Sequence, residues 1–473
     1  MINWALFNTE IYFLITAAGF LLMSLLPKAN AQRDYITALA LSAIGIGMAF
    51  AGINQQGDMF AQVYRIDLFS QVFKVLLSMG LFLIICVCSE LKSIPERLHP
   101  EFYFLLTIAT LAMMIMVSSV HLLTVYISLE LSSYSLYILV YLRTEHKLSL
   151  AATLRYFIMG ATASAVMLFG MAVLYSFIGS AYLIDIVKNL PGIIDRPIVV
   201  IGFFFTLAGF FFKLAVFPFH FWVPETYHGA SNQVAAYIAT ASKVAAIALL
   251  IRIVALSSGH MEYPAKVLIY LSIISMTVGN LSAIVQKDLK KMLAYSSIAH
   301  AGYVLIGILS MNQAGYAGAV FYALALLILK FTCFFVIIKA ASDGRNPTMS
   351  DLAGLHQRSP ILALALLLAL FGLAGIPPTV GFTGKLLVFS AAIQKGYFAL
   401  VLIAMINVVI SLYYYLLVLK AAYLTEPDKQ LPELSTTMPV KILATAMITA
   451  IVAAGFFPAY LIRIAEAATA ILI

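Results

Sequence analysis

Apolar runs of about 20 residues recur from one end of this chain to the other, separated by short polar stretches. A helix of that length crosses a hydrocarbon core of about 30 Å, so the pattern predicts an all-α membrane protein. About fourteen transmembrane helices are expected, centred near Ile15, Ile44, Met79, Ala109, Leu131, Met167, Leu207, Val244, Ile274, Tyr303, Leu326, Leu367, Ile410 and Ile451. The first run, from Trp4 to Leu26, follows no basic leader and precedes no small-residue cleavage site. It reads as a spanning helix, not a signal peptide. The polar stretches are short, the longest being Gln55–Asp67, Ile184–Arg196, Ser342–Pro360 and Thr425–Met438. None is long enough to fold as a soluble domain.

Two of the expected spans are interrupted. From Leu207 to Leu250 the chain reads LAGFFFKLAVFPFHFWVPETYHGASNQVAAYIATASKVAAIALL, with Pro218, Pro224 and Gly229 between halves that carry Lys213 and Lys243. A second stretch, FGLAGIPPTVGFTGKLLVFSAA, places Pro377 and Pro378 beside Lys385. Non-helical backbone at membrane depth is tolerated only where protein or a water-filled cavity surrounds it. Two interrupted spans about five helices apart are the mark of inverted repeats that meet at a midplane site. The expected division is a three-helix segment at 1–100, a five-helix repeat at 101–257, a second, inverted five-helix repeat at 258–422, and a C-terminal helix at 423–473. Each repeat contains one broken helix. Glycine and proline are common in membrane helices for other reasons, and a lysine beside both breaks is what sharpens the reading.

Composition agrees with this picture and narrows the chemistry. Hydrophobic residues make up 63% of the 473 positions and charged residues 10%, and the mean hydropathy is +1.02. A soluble domain so composed could not wet its surface. The net charge of +8 follows from loops biased toward lysine and arginine, not from a nucleic-acid-binding face. With alternating crossings, sixteen cationic residues, Lys28, Arg143, Lys290 and Lys429 among them, fall on one side. Seven, including Arg65 and Arg252, fall on the other. The positive-inside rule makes the first side cytoplasmic and puts both termini on the non-cytoplasmic side. Five cations remain within the membrane: Lys74, Lys213, Lys243, Lys330 and Lys385. Cys86, Cys88 and Cys333 lie in apolar runs without metal-ligand spacing. No glycine-rich phosphate loop, pair of catalytic carboxylates or Cys/His cluster is found, so no nucleotide, metal or redox cofactor is expected in this chain.

A lysine near the bilayer centre costs roughly 2.5–3.5 kcal/mol on insertion scales and is normally buried in a bundle with a task. Glu130 lies mid-span in HLLTVYISLELSSYSLYILVYL, with Tyr126, Ser133, Tyr134 and Tyr137 at helical spacing. A cationic partner keeps such a carboxylate ionised, and Lys213 is the candidate. The pair reads as a switch that passes a proton to Lys243 when the ions separate, or as a static ion pair that fixes packing. His300, in LAYSSIAHAGYVLIGIL, is a proton relay or a neutral histidine bonded across helices. Lys330 is a link from His300 to Lys385 or a structural lysine. Lys74 and Asp67 border the third span and are expected to snorkel and anchor the interface. His121, His220 and His228 are expected near helix ends or breaks. Glu130, Lys213, Lys243, His300, Lys330 and Lys385 are thus the candidate proton-translocating residues. With Glu130 the one clear mid-membrane carboxylate, the cluster favours protons over sodium, which prefers oxygen ligands.

These segments resemble a known family. SLELSSYSLYILV, FFFKLAVFPFHFWVPETYHGA and GNLSAIVQKDLKKMLAYSSIAHAGYVLIG are similar to motifs of the antiporter-like subunits of bacterial respiratory complex I, the proton-pumping NADH-quinone oxidoreductase. That family is related to the Mrp-type cation/proton antiporters. DLAGLHQRSPILALALLLALFGLAGIPPTVGFTGKLLVFSAA, with INVVISLYYYLLVLKAAY, is most similar to the subunit N branch. The resemblance implies about fourteen helices with two inverted five-helix repeats. It implies that Glu130 and Lys213 are the coupling pair, Lys243 the central lysine, His300 the tenth-helix histidine and Lys385 the residue of proton release. A lysine at Lys330 departs from the subunit N pattern and resembles the other antiporter-like subunits. The implied setting is a multi-pass subunit of the bacterial cell membrane that does no redox chemistry itself. Its partners would be other antiporter-like and small membrane subunits and a peripheral arm. That arm would hold the flavin and iron–sulfur clusters and pass electrons from NADH to quinone. The alternative is a subunit of an Mrp-type Na+/H+ antiporter or of a related membrane-bound hydrogenase or dehydrogenase.

Overall fold

The computed structural model describes residues 4–26, 29–256, 262–426, 431, 434 and 436–472. Lys28, Lys429 and the expected boundary between 257 and 258 lie outside the described residues. In chain order the helices begin with α1 (Asn8–Ser24) and α2 (Ala31–Ala51). A small hairpin of β1 (Gly57–Met59) and β2 (Tyr64–Ile66) follows, paired antiparallel with Asp58 opposite Arg65. Then come α3 (Leu68–Cys86), α4 (His99–Ser118), α5 (Leu122–Tyr141), α6 (His146–Ile178), α7 (Leu183–Asn189), α8 (Pro197–Leu214), α9 (Trp222–Gly229), α10 (Asn232–Ala239) and α11 (Ala241–Leu256). The second half holds α12 (Glu262–Ile284), α13 (Leu289–Leu309), α14 (Gln313–Ala340), α15 (Leu355–Arg358), α16 (Pro360–Ala374), α17 (Val380–Gln394), α18 (Phe398–Leu424), α19 (Met438–Phe456) and α20 (Ala459–Ala470).

Among the described residues, thirteen helical stretches are long and apolar enough to cross a membrane, and α16 and α17 are shorter apolar helices. Taken as one interrupted crossing, the short pair completes the expected fourteen. Helix starts are set by short polar side chains that accept the otherwise unpaired first amides. Asp67 accepts from Ser70 N at 2.8 Å to begin α3, and Asp288 from Lys291 N at 2.8 Å to begin α13. Asn312 accepts from Gly315 N at 2.7 Å to begin α14.

Both expected breaks are present. α8 ends at Ala215, whose φ of +67° turns the chain out of the helix, and α9 resumes at Trp222. α16 ends at Gly375, with φ +85°, and α17 begins at Val380. The eighth span, expected to be continuous, is interrupted as well. Thr240, at φ −113° and ψ −87°, separates α10 from α11. Its hydroxyl donates back to Ala236 O at 2.7 Å, a bond that competes with helix geometry.

Burial is graded across the bundle. Residues of the 232–255 segment are buried throughout the span, and α13 and α14 nearly so, whereas α1, α2 and α19 turn most of their surface outward. Leu22, Val409 and Ile442 are among the exposed apolar residues, as expected where lipid is as apolar as the core. α12 and α13 approach closely because Gly279 and Gly302 face the opposing helix. A Cβ at Gly302 would stand 2.8 Å from Ser272 O.

Lys74 and Asp67 do not snorkel. Lys74 is fully buried and pairs with Glu10 of α1 at 2.7 Å. Asp67 is buried and receives both guanidinium nitrogens of Arg252 at 2.9 Å. Arg252 belongs to helix α11, not to a loop, and also donates to Val117 O at 3.1 Å. Glu10 and Asp34, the latter paired with Arg33 at 2.7 Å, are carboxylates more deeply buried than Glu130. They escaped notice because each stands near an apparent span end, and only packing shows that the end is covered. Breaking a buried pair leaves an uncompensated charge, which costs about 3–5 kcal/mol. Arg252→Met is therefore expected to lower the thermal unfolding midpoint of the detergent-solubilised protein sharply, and adding Asp67→Asn to restore part of the loss. A midpoint unmoved by Arg252→Met would show that the pair does not tie α11 to α3.

Candidate functional site

A helix end inside a membrane leaves carbonyls without amide partners. At the end of α8 the amides of Ala215 and Val216 reach back to Phe212 O and Phe211 O, and side chains add to them. Trp222 Nε1 donates to Phe212 O at 3.0 Å, and Lys243 Nζ donates to Lys213 O at 3.0 Å. The Lys243 ammonium also lies 5.0 Å from the centre of the Trp222 ring, a favourable cation–π geometry. Tyr156 stacks on the same indole at 4.3 Å. The Lys213 side chain turns the other way, toward α5, and donates to the hydroxyls of Ser132 and Ser133.

Glu130 is half-buried, and its Oε1 accepts from the Ser164 hydroxyl of α6. Among the described residues no ion pair within 4 Å joins it to Lys213. Serines one turn away on the same helix hold the lysine instead. The polar face expected around Glu130 is divided, because Ser133 and Tyr137 are buried whereas Tyr134 is exposed.

In the second half the polar groups join into a row. Lys330 of α14 donates to Ser296 Oγ at 2.6 Å and to Leu293 O at 3.2 Å. Ser296 Oγ and the Tyr415 hydroxyl are 2.6 Å apart, and Tyr415 lies 3.2 Å from His300 Nε2. His300 Nδ1 is 2.6 Å from the Tyr322 hydroxyl. Both imidazole nitrogens therefore face hydroxyls, which donate or accept as required. Between the halves lies a cavity of about 20 Å³ lined in part by Lys243, Ser297, His300 and Lys330. That is room for about one water molecule.

Lys385 closes the second break. Its Nζ donates to Leu373 O at 2.8 Å and Ala374 O at 3.0 Å, the last carbonyls of α16, and lies 4.8 Å from the Tyr303 ring centre. Gly375 is needed here twice over, for its positive φ and because a Cβ would stand 2.9 Å from Lys385 Cδ. Tyr303 accepts from Asn280 at 3.1 Å, and Asn280 in turn contacts Asn407 and Tyr414. The two break lysines are thus placed differently. Lys213 precedes its break and points away from it, whereas Lys385 follows its break and points back.

The structure brings Lys213, Lys243, Lys330, His300 and Lys385 into one polar zone and leaves Glu130 at its edge. Tyr322, Tyr415, Asn280 and Asn407 had not been singled out from sequence. The asparagines were legible as lone amides in apolar runs, but the tyrosines were not, since the chain holds 25 of them. His121 caps α5 through Leu123 N at 3.3 Å, and His220 is buried in the first break. His228, at the end of α9, lies 3.0 Å from Asp288. Burial opposes ionisation of Asp288, but His228 and the Lys291 amide outweigh it and hold the carboxyl below its ordinary range. Arg143 and Lys290 both donate to Ala230 O, at 3.0 and 2.6 Å, and both reach Asn346. Together they pin the far end of α9.

Comparison with known proteins gives this geometry its kinship. Residues 119–411 match the transmembrane family described as NADH:quinone oxidoreductase/Mrp antiporter. NADH-quinone oxidoreductase subunit N 2 of Syntrophobacter fumaroxidans is 59% identical over 98% of this chain and 99% of its own length. The subunit N 2 of Opitutus terrae is 38% identical over 98% of this chain and 97% of its own. A chain of respiratory complex I from Thermus thermophilus superposes with a TM-score of 0.84 at 30% identity, covering 96% of this chain and 98% of that one. A chain of the Mrp complex from Dietzia shares the fold, with a TM-score of 0.85 at 20% identity over 99% and 97%. With a family match over more than half its length and a 59% identical relative over nearly all of it, the chain belongs to the NADH:quinone oxidoreductase/Mrp antiporter family and, within it, to the subunit N group of NADH-quinone oxidoreductases.

Proposed function

We propose that this chain is a proton-translocating membrane-arm subunit of a bacterial NADH-quinone oxidoreductase, multi-pass in the cell membrane. In this reading it moves protons and does no redox chemistry itself. Partner subunits hold the flavin and iron–sulfur clusters and pass electrons from NADH to quinone. The observation that carries the reading is the row of buried ammonium groups, hydroxyls and one imidazole from Lys213 to Lys385, set between two broken helices. The cation bias of the loops supports a topology with both termini on the non-cytoplasmic side. The units we assign are 1–100, 101–257, 258–422 and 423–473, the middle two being inverted repeats.

The residues act as follows. Glu130 and Lys213 are the coupling pair, here in its separated form, with Glu130 on Ser164 and Lys213 on Ser132 and Ser133. When the carboxylate approaches Lys213 it stabilises the ammonium; when it withdraws, the proton passes to Lys243, which sits on the Lys213 carbonyl. A water in the shared cavity carries it on toward Lys330 and His300. The hydroxyls of Ser296, Tyr415 and Tyr322 accept one proton and donate another at each link. Lys385 is the point of release. A sodium/proton antiporter is the second reading, and the scarcity of carboxylate oxygens along this row weighs against it, since sodium prefers oxygen ligands.

In the intact complex, Glu130→Gln and Lys213→Met are each expected to assemble and to slow proton-coupled quinone reduction by about tenfold or more. Wild-type pumping in reconstituted liposomes would remove both from the mechanism. Tyr415→Phe takes away the hydroxyl between Ser296 and His300, and it should slow pumping while Tyr414→Phe slows it less. Equal rates in the two variants would exclude the hydroxyl chain. Lys385→Met should lower the number of protons moved per electron, and an unchanged ratio would place release elsewhere.

A further inference from the structure

The three N-terminal helices hold a second buried charged cluster that the row above does not use. Glu10 of α1 and Lys74 of α3 are 1% and 0% exposed and 2.7 Å apart. The Tyr64 hydroxyl from β2 donates to the same oxygen, Glu10 Oε1, at 2.6 Å. Glu10 Oε2 is buried and has no hydrogen-bond partner. Gln71 Oε1, three residues before Lys74 on the same helix face, is also buried and has no hydrogen-bond partner. Buried polar atoms left without a protein partner ordinarily hold water. Two such oxygens, on Glu10 and on the residue one turn before Lys74, are what a hydrated site would present.

Polar groups continue from this site to the surface. Gln71 Nε2 donates to Gly52 O at 2.7 Å, at the end of α2. A Cβ at Gly52 would meet Gln71, Thr9 and Gln55 within 3.4–3.6 Å, so these three side chains converge there. Gln55 is partly exposed. The same end of α3 is tied to the central lysines through α11. Arg252 of α11 grips Asp67, the cap of α3. Lys243 lies nine residues earlier on α11, about 13 Å along the helix.

Resting on the pumping role proposed above, we infer that Glu10, with Lys74 and Tyr64, is a proton-exchanging site opening at the non-cytoplasmic end of the chain. In the exchange an N–H bond of the Lys74 ammonium breaks and an O–H bond forms on Glu10, which leaves a neutral pair. The Glu10 proton then passes to water along Gln71 toward Gln55, and Lys74 takes up the next proton. The other charged groups packed there, Asp67 and Arg252, neutralise each other.

The test compares Glu10→Gln with Glu130→Gln in the intact complex in liposomes, reading protons moved per electron. Glu10→Gln is expected to assemble and reduce quinone but to lose part of the pumping ratio. If Glu130→Gln lowers the ratio and Glu10→Gln leaves it at the wild-type value, the inference is overturned and the proposed function stands. If neither variant changes it, the proposed function falls and this inference with it. Should Glu10→Gln fail to assemble, the exchanged pair Glu10→Lys with Lys74→Glu decides. It keeps the ion pair but takes the carboxylate off α1, so assembly with a reduced ratio supports the site. Assembly with the wild-type ratio, or failure of both variants to assemble, makes the cluster a structural latch and overturns it.

Discussion

Everything at the centre of this bundle depends on what happens where a helix stops inside the membrane. A helix end there exposes carbonyls that neither water nor lipid can satisfy. At two such ends, after α8 and after α16, a lysine ammonium donates to the last carbonyls. The partial negative charge of a helix C-terminus suits an ammonium, and the ammonium in turn avoids the cost of lying bare in hydrocarbon. Each group thereby answers the other's need. Both ammonium groups are thus held by neutral carbonyl oxygens, not by a carboxylate.

The links between these lysines are neutral hydroxyls and one imidazole. Ser296, Tyr415 and Tyr322 carry no charge that would trap a proton, and each can reverse its donor and acceptor roles. His300 is bonded on both ring nitrogens, so its orientation is held whichever nitrogen bears hydrogen. An arginine in place of any of these lysines would hold its proton. Arginine is used where holding is the point, at Arg143 and Arg252. Arg143, with Lys290, closes the end of α9, and Arg252 clamps α11 to α3. The bundle is pinned by arginines toward the ends of its helices and keeps its buried lysines between them.

Glu130 stands apart from that row. It is half-buried between α5 and α6, and its contact is a serine, not the lysine it is expected to meet. A movement of α5 would shift Glu130 against Ser164 of α6 and, with it, the Ser132 and Ser133 hydroxyls that hold Lys213.

Much of this was legible in the residues alone. Segment length and hydropathy pointed to about fourteen helical crossings, because runs of about 20 apolar residues suit a helix that satisfies its own backbone in hydrocarbon. Pro218 and the pair Pro377 and Pro378 marked both breaks, since proline cannot continue a helix. The lysines in apolar runs stood out, since each is costly in hydrocarbon, and the fold buries all five of them. Tertiary structure alone decided which oxygen each charge meets. Sequence offered Glu130 to Lys213, but packing supplied Ser132 and Ser133. It placed Lys74 at the interface, where Glu10, sixty-four residues away, covers it instead. Thr240 broke a span that hydropathy read as continuous. These outcomes turn on contacts of a few ångströms between helices distant in the chain, and periodicity along one helix says only which face is polar, not what stands opposite.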